Sequence, residues 1–187
     1  MIRFLALLAL VCSPLVAWAV VKQVRVIAPE AMGVSCEVNV CVDDRKRLAE
    51  AQALYEEAVR YVDADVARLQ TAPRAIFCST PWCADAFGIR SPVAGYNVGT
   101  FAIVLGPRGW HGYFVRHELI HHLQGERLGS LNNWLLKPEW FREGMAYSLS
   151  GDPRRPLVQP LEGLRAEFEA WLGKVGRERL WDEAGRL

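Results

Sequence analysis

Two histidines four residues apart, with a glutamate beside the first, stand at His117-Glu118-Leu119-Ile120-His121. On an α-helix this spacing puts both imidazoles on one face, one turn apart. Neutral imidazole nitrogens suit Zn²⁺, and a carboxylate beside them is placed to take a proton from a water whose pKa the metal has lowered to about 7. The chain has only four histidines, His111, His117, His121 and His122, so the pattern stands out from its background. His122 follows a ligand directly and points about 100° further round the helix. That direction suits a supporting or surface residue better than a ligand.

Two histidines do not complete a site, because a catalytic zinc usually has three protein ligands and one open position. Arg127 stands six residues after the motif and no histidine follows His122, which leaves a carboxylate or a cysteine as the third ligand. Downstream lies Pro138-Glu139-Trp140-Phe141-Arg142-Glu143-Gly144-Met145-Ala146-Tyr147. Its Trp-x-x-Glu-Gly-x-Ala pattern resembles the second zinc helix of gluzincin metallopeptidases, the thermolysin-like and aminopeptidase-like branch. The close resemblance covers about residues 100–151, and 21 residues separate His121 from Glu143. It implies a zinc peptidase in which His117, His121 and Glu143 hold the metal and Glu118 is the general base. In thermolysin-like members a carboxylate one turn after the third ligand often orients the first histidine. Here Tyr147 occupies that position, and Asp152 is the other candidate. Members also use a tyrosine or histidine to stabilise the oxyanion; Tyr147, Tyr113, Tyr96 and His111 are candidates, and spacing singles out none of them.

The elements that must hold these residues are legible from pattern. Pro138 suits the first turn of a helix, and Glu139 complements the positive end of its dipole. Phe141, Met145 and Leu149 form an apolar stripe, and Gly151 is a stop. The motif helix is expected from near Trp110–Gly112 to about Gly125, after a strand at Thr100–Leu105. Upstream, residues 22–28 alternate as a strand would, and Val38, Val40 and Val42 alternate in a hairpin closed near Cys36 and Cys41. From Asp43 to Gln70 the period is helical, with Ala51, Tyr55, Ala58 and Val62 on one face and Asp43 or Asp44 as the cap. Ala75–Cys78 reads as a strand, and Thr80 with Pro81 as the start of a short helix. Residues 91–99 read as a loop, 126–137 as a link and 161–172 as a last helix. The expectation is an α+β chain. By the resemblance it is a small zincin-like metallopeptidase domain, a mixed sheet with an edge strand above the motif helix and a second zinc-ligand helix. Thr100–Leu105 takes the edge position in that resemblance, where an extended peptide would pair.

The first nineteen residues read as a signal peptide, with Arg3, an apolar run from Phe4 to Val11 and a small-x-small site at Ala17-Trp18-Ala19. An uncleaved anchor is the alternative, since Val20 and Val21 extend the apolar run. Residues 20–187 then form one domain, either periplasmic or secreted, with the membrane a partner only if the segment is uncleaved. Cys36 and Cys41, like Cys78 and Cys83, lie five apart, and two local disulfides are the simplest of three pairings. The competing use is a thiolate metal site, which an oxidising compartment disfavours. Beyond residue 19 the basic and acidic residues number 21 each, which gives no sign of a nucleic-acid partner. The expected partner is a peptide or protein substrate. The rival expectation is a non-catalytic peptidase-like binding or assembly module of the cell envelope, with a partner completing the cleft.

Overall fold

The computed structural model describes Trp18 and residues 20–187; the expected leader otherwise lies outside the described residues. After two 3₁₀ turns over Lys22–Ile27 and Pro29–Met32 come β1 (Ser35–Glu37), β2 (Val40–Val42), α1 (Leu48–Asp65), β3 (Arg74–Phe77), α2 (Pro81–Ala86), β4 (Gly95–Val98) and β5 (Ala102–Leu105). The C-terminal half is helical, with α3 (Gly112–Leu128), α4 (Ser130–Leu136), α5 (Glu139–Leu149), α6 (Leu161–Val175) and α7 (Leu180–Arg186). The strands form one mixed sheet in the order β1-β2-β3-β5-β4. β2, β3 and β5 run parallel, while β1 and β4 add antiparallel at the two edges.

The central strands bury both faces, which is why they read as unbroken apolar runs. Val40, Val42, Ala75, Phe77, Ile103 and Leu105 point to one face, where they join the buried stripes of α1, α3 and α5. Cys41, Ile76, Cys78, Ala102 and Val104 point to the other, under the N-terminal turns and α2. Both local disulfides are formed, Cys36–Cys41 across the β1–β2 hairpin and Cys78–Cys83 from the end of β3 into α2. They agree with an oxidising, exported setting. Among the described residues no helix is long and apolar enough to cross a membrane.

Several elements follow the sequence reading. Thr80 Oγ1 accepts from the Cys83 N–H at 3.2 Å with Pro81 opening α2. Phe141, Met145 and Leu149 are buried on α5, and Gly151 has a φ of 68° at its end. Asp44 caps the 3₁₀ turn before α1, whereas Asp43 accepts from the Ser79 and Thr80 backbone N–H groups at 2.7 and 3.0 Å.

Others are corrected. Residues 22–28 are not a strand: Lys22–Ile27 is a 3₁₀ turn that buries Val26 alone. Side chains, not a ladder, fix it, since Arg25 Nη1 donates to the Ala86 carbonyl at 2.6 Å and Arg74 Nη1 to that of Val26 at 3.3 Å. α1 stops at Asp65 because the Val66 and Ala67 N–H groups share the Val62 carbonyl and Asp63 Oδ1 takes the Leu69 N–H. The 126–137 link contains α4, and α7 was not expected. The largest correction concerns the sheet edge. Thr100–Leu105 is not an edge strand: β5 lies between β3 and β4, and the edge is β4, inside the stretch read as a loop. Gly99, at φ 54°, turns the chain back so that β4 covers β5.

Candidate metal centre

α3 places the two histidines. Val115, Leu119, Ile120 and Leu123 are fully buried against the core, which turns the flank carrying His117 and His121 towards the cleft. α5 places Glu143. It can do so because Gly144 lets α5 meet α6 almost backbone to backbone: a Cβ there would lie 2.2 Å from the Leu164 carbonyl oxygen and 2.7 Å from Phe168 Cβ.

Three ligand atoms converge. His117 Nε2 and His121 Nε2 lie 3.2 Å apart, and the two Glu143 oxygens lie 3.5 Å from one nitrogen each. Ligands at zinc distances of about 2.0–2.1 Å in a tetrahedron would stand about 3.3 Å from one another. The spacing found is therefore that of a tetrahedral edge, and this His-His-Glu group is suited to hold a metal ion. Two imidazole nitrogens so close without an intervening cation or proton repel each other.

The tautomer of His121 is fixed from outside. Gln124 Nε2 donates to the Arg142 carbonyl at 3.0 Å, so its Oε1 faces the other way, towards His121 Nδ1 at 3.0 Å. A carbonyl-type oxygen only accepts, so Nδ1 carries a proton; Nε2 is then the nitrogen that offers a lone pair to a metal in the neutral ring and a proton to Glu143 in the protonated one. Asn133 Nδ2 lies 3.5 Å from the same oxygen.

Burial alone would lower the His121 pKa, but the Glu143 carboxylate outweighs it and lifts the ring to about 9. Burial would raise Glu143, yet His121 and His117 hold it well below the usual carboxylate range. Glu118 is different: burial pushes its carboxyl up, only partly opposed by the two histidines. Its Oε1 sits against the start of β4, 3.2 Å from where a Cβ on Gly95 would be.

Tyr147 lies one turn beyond Glu143, its ring edge-on to His117 with centroids 4.4 Å apart. Burial raises its hydroxyl pKa to about 12, so it stays a donor at neutral pH. The other oxyanion candidates are engaged elsewhere. Tyr96 donates to the Phe87 carbonyl at 2.6 Å, and His111 stacks on Tyr113 with centroids 5.6 Å apart. Asp152 is buried and held by Arg154 Nε at 2.9 and 3.1 Å; burial works to raise its pKa, but these bonds, with a smaller contribution from His117, lower it. His122 turns away from the site into a cluster with Glu126 at 3.0 Å and Thr71 at 3.1 Å.

The centre opens into a cleft of about 690 Å³, walled by β4 on one side and by Asn133 and Trp134 of α4 on another. Gln124, Asn133 and the β4 wall were not anticipated. The spacing of Gln124, three residues after His121, is the one signal that could have pointed to it. The chain matches no family model, no curated protein and no solved structure, so what the site does is argued from its own residues.

Proposed function

We propose that the chain is an exported zinc-dependent peptidase, periplasmic or secreted, of the gluzincin kind that its motifs resemble. One observation carries the reading: His117, His121 and Glu143 meet at tetrahedral-edge spacing beside a buried Glu118 in an open cleft. Zn²⁺ in this group would supply Lewis acidity, activating a water and polarising the scissile carbonyl. Glu118 takes the proton of the attacking water and returns it to the leaving nitrogen; a carboxyl raised by burial is suited to both transfers. The Tyr147 hydroxyl donates to the oxygen that gains charge. The free edge of β4 offers backbone donors and acceptors to an extended peptide, taking the role expected of Thr100–Leu105.

The purified chain is expected to bind one zinc, and Glu143→Ala to lose or weaken it. Glu118→Gln should keep the zinc while hydrolysis of an unstructured protein substrate falls by roughly 10²–10⁴-fold. Undiminished hydrolysis by Glu118→Gln overturns the mechanism. A second reading, an envelope binding module whose partner completes the cleft, draws support from α4, where Leu131, Trp134, Leu135 and Leu136 are 63–74% exposed beside the opening. Zinc without hydrolysis of any peptide favours that reading.

A further inference from the structure

The arginines of the described residues are mostly matched where they are buried. Arg165 pairs with Glu162, Arg116 with Glu57, and Arg154 with Asp152. Arg142 breaks the pattern, and Arg108, exposed in the same cleft, also lacks a carboxylate. Arg142 lines the cleft one residue before Glu143, and its Nε is buried with no hydrogen-bond partner. Its guanidinium has no ion pair and no aromatic ring among the described residues. Arg108, at the opposite end, lines the same cleft and has one side-chain bond, from Nη1 to the Pro92 carbonyl at 2.8 Å, and no carboxylate.

Both line the cleft that β4 walls. Pro92 leads into β4, so Arg108 stands where the strand begins. The Arg142 carbonyl is tied through Gln124 to Asn133 of α4, which adjoins the turn where β4 ends, since Gly99 lies against Ser130. The acidic groups that line the cleft are already committed. Glu143 faces the two histidines, and Glu118 serves as the base in the reading above. A half-buried guanidinium without a counter-charge is an expensive arrangement unless a ligand supplies one. A planar fork of N–H donors matches a carboxylate, with which it can form two parallel bonds.

We infer that the cleft selects peptides carrying carboxylate groups, held by Arg142 and Arg108 at the two ends of β4 on either side of the metal centre. This rests on the peptidase reading for the place of the peptide, not for the charge preference. Lysine-bearing peptides meet like charge at both ends and are excluded. The carboxylate is either an aspartate or glutamate side chain or the peptide's own C-terminus.

The test uses the full zinc-loaded chain and quenched fluorescent peptides that differ only in carrying Glu, Gln or Lys on each side of the central bond. Each peptide is made with a free and with an amidated C-terminus. Binding is read separately by fluorescence anisotropy on Glu118→Gln, so that charge preference does not depend on turnover. Glu peptides should bind and be cut roughly 10- to 100-fold better than Lys peptides. Arg142→Gln and Arg108→Gln should each flatten the preference at unchanged zinc stoichiometry, and Arg142→Glu should reverse it. Because Arg108 is exposed, its variant remains informative if an Arg142 variant does not fold. Binding that falls on amidation whichever residue the peptide carries assigns the carboxylate to the C-terminus; a Glu preference that persists in the amidated peptides assigns it to side chains. Acid-selective binding without hydrolysis removes the peptidase reading and keeps this inference. Equal handling of Glu, Gln and Lys peptides that amidation leaves unchanged overturns the inference alone, and a chain that neither binds nor cuts any of them overturns both.

Discussion

Gln124 decides which nitrogen of His121 faces the ligand group. It can do so only because the Arg142 carbonyl consumes its amide N–H. Gln124→Leu removes both bonds while keeping the side chain's bulk, and partners of this kind typically account for 10- to 100-fold in metal affinity. The variant should bind zinc that much more weakly in a chelator competition, with an unchanged circular dichroism spectrum; unchanged affinity would show that the tautomer is set otherwise. At this scale His117, Glu118 and His121 were legible because a four-residue repeat is a property of one helix. Glu143 was legible only through the resemblance, since an isolated glutamate on an amphipathic helix looks like any other. Gln124 was not legible, because its role depends on a carbonyl from α5 and an amide from α4. Neither Arg108 nor Arg142 stood out among 18 arginines in a nearly neutral chain; what distinguishes them is a place in the cleft lining without a carboxylate partner.

The position of Glu143 is a matter of how two helices cross. α5 carries the ligand, and Gly144, the next residue, is the point at which α6 touches it. Gly144→Ala would set a methyl group 2.2 Å from the Leu164 carbonyl oxygen, a backbone atom that cannot rotate away. Overpacking of this kind costs about 1–3 kcal/mol, and its relief must shift α5 with Glu143 on it. The expected outcome is a lowered urea midpoint together with weakened zinc binding. A stability loss with full zinc affinity would mean that the helices part elsewhere. Helix α5 was readable because Phe141, Met145 and Leu149 repeat at the helical period. The strands were readable less well. Val24, Val26 and Ala28 alternate as strand residues do, yet Lys22–Ile27 joins no ladder. Gly95–Val98 has little apolar character and still closes the sheet. Alternation reports which side chains are covered, while position in a sheet is set by what arrives from elsewhere in the chain. That is why the interior strand β5 was read as the edge, and the true edge, β4, as a loop.

Taken whole, the molecule has two layers of unequal thickness on its sheet. The helical layer on one face holds the ligand group. The thinner layer on the other consists of the N-terminal turns and α2, and the Cys78–Cys83 bridge fastens it to the end of β3. Closing a loop this short removes chain entropy worth about 2 kcal/mol from the unfolded state. A Cys78→Ala, Cys83→Ala double variant should therefore lose about that much stability in urea unfolding. Zinc binding should survive, because the ligands lie across the sheet; loss of zinc would show that the two layers are coupled. Two disulfides and an α+β architecture were both foreseeable, the first from equal cysteine spacings and the second from the change of period after Asp43.

The ligand group joins α3 to α5 across 21 intervening residues. An ion held there would close a ring around α4, much as a removable clasp would, and among the described residues α4 is the element with the most exposed large apolar side chains. Loading the site would thus restrain the helix that borders the cleft entrance, and under the proposed function metal supply would set the shape of that doorway as well as the reaction behind it.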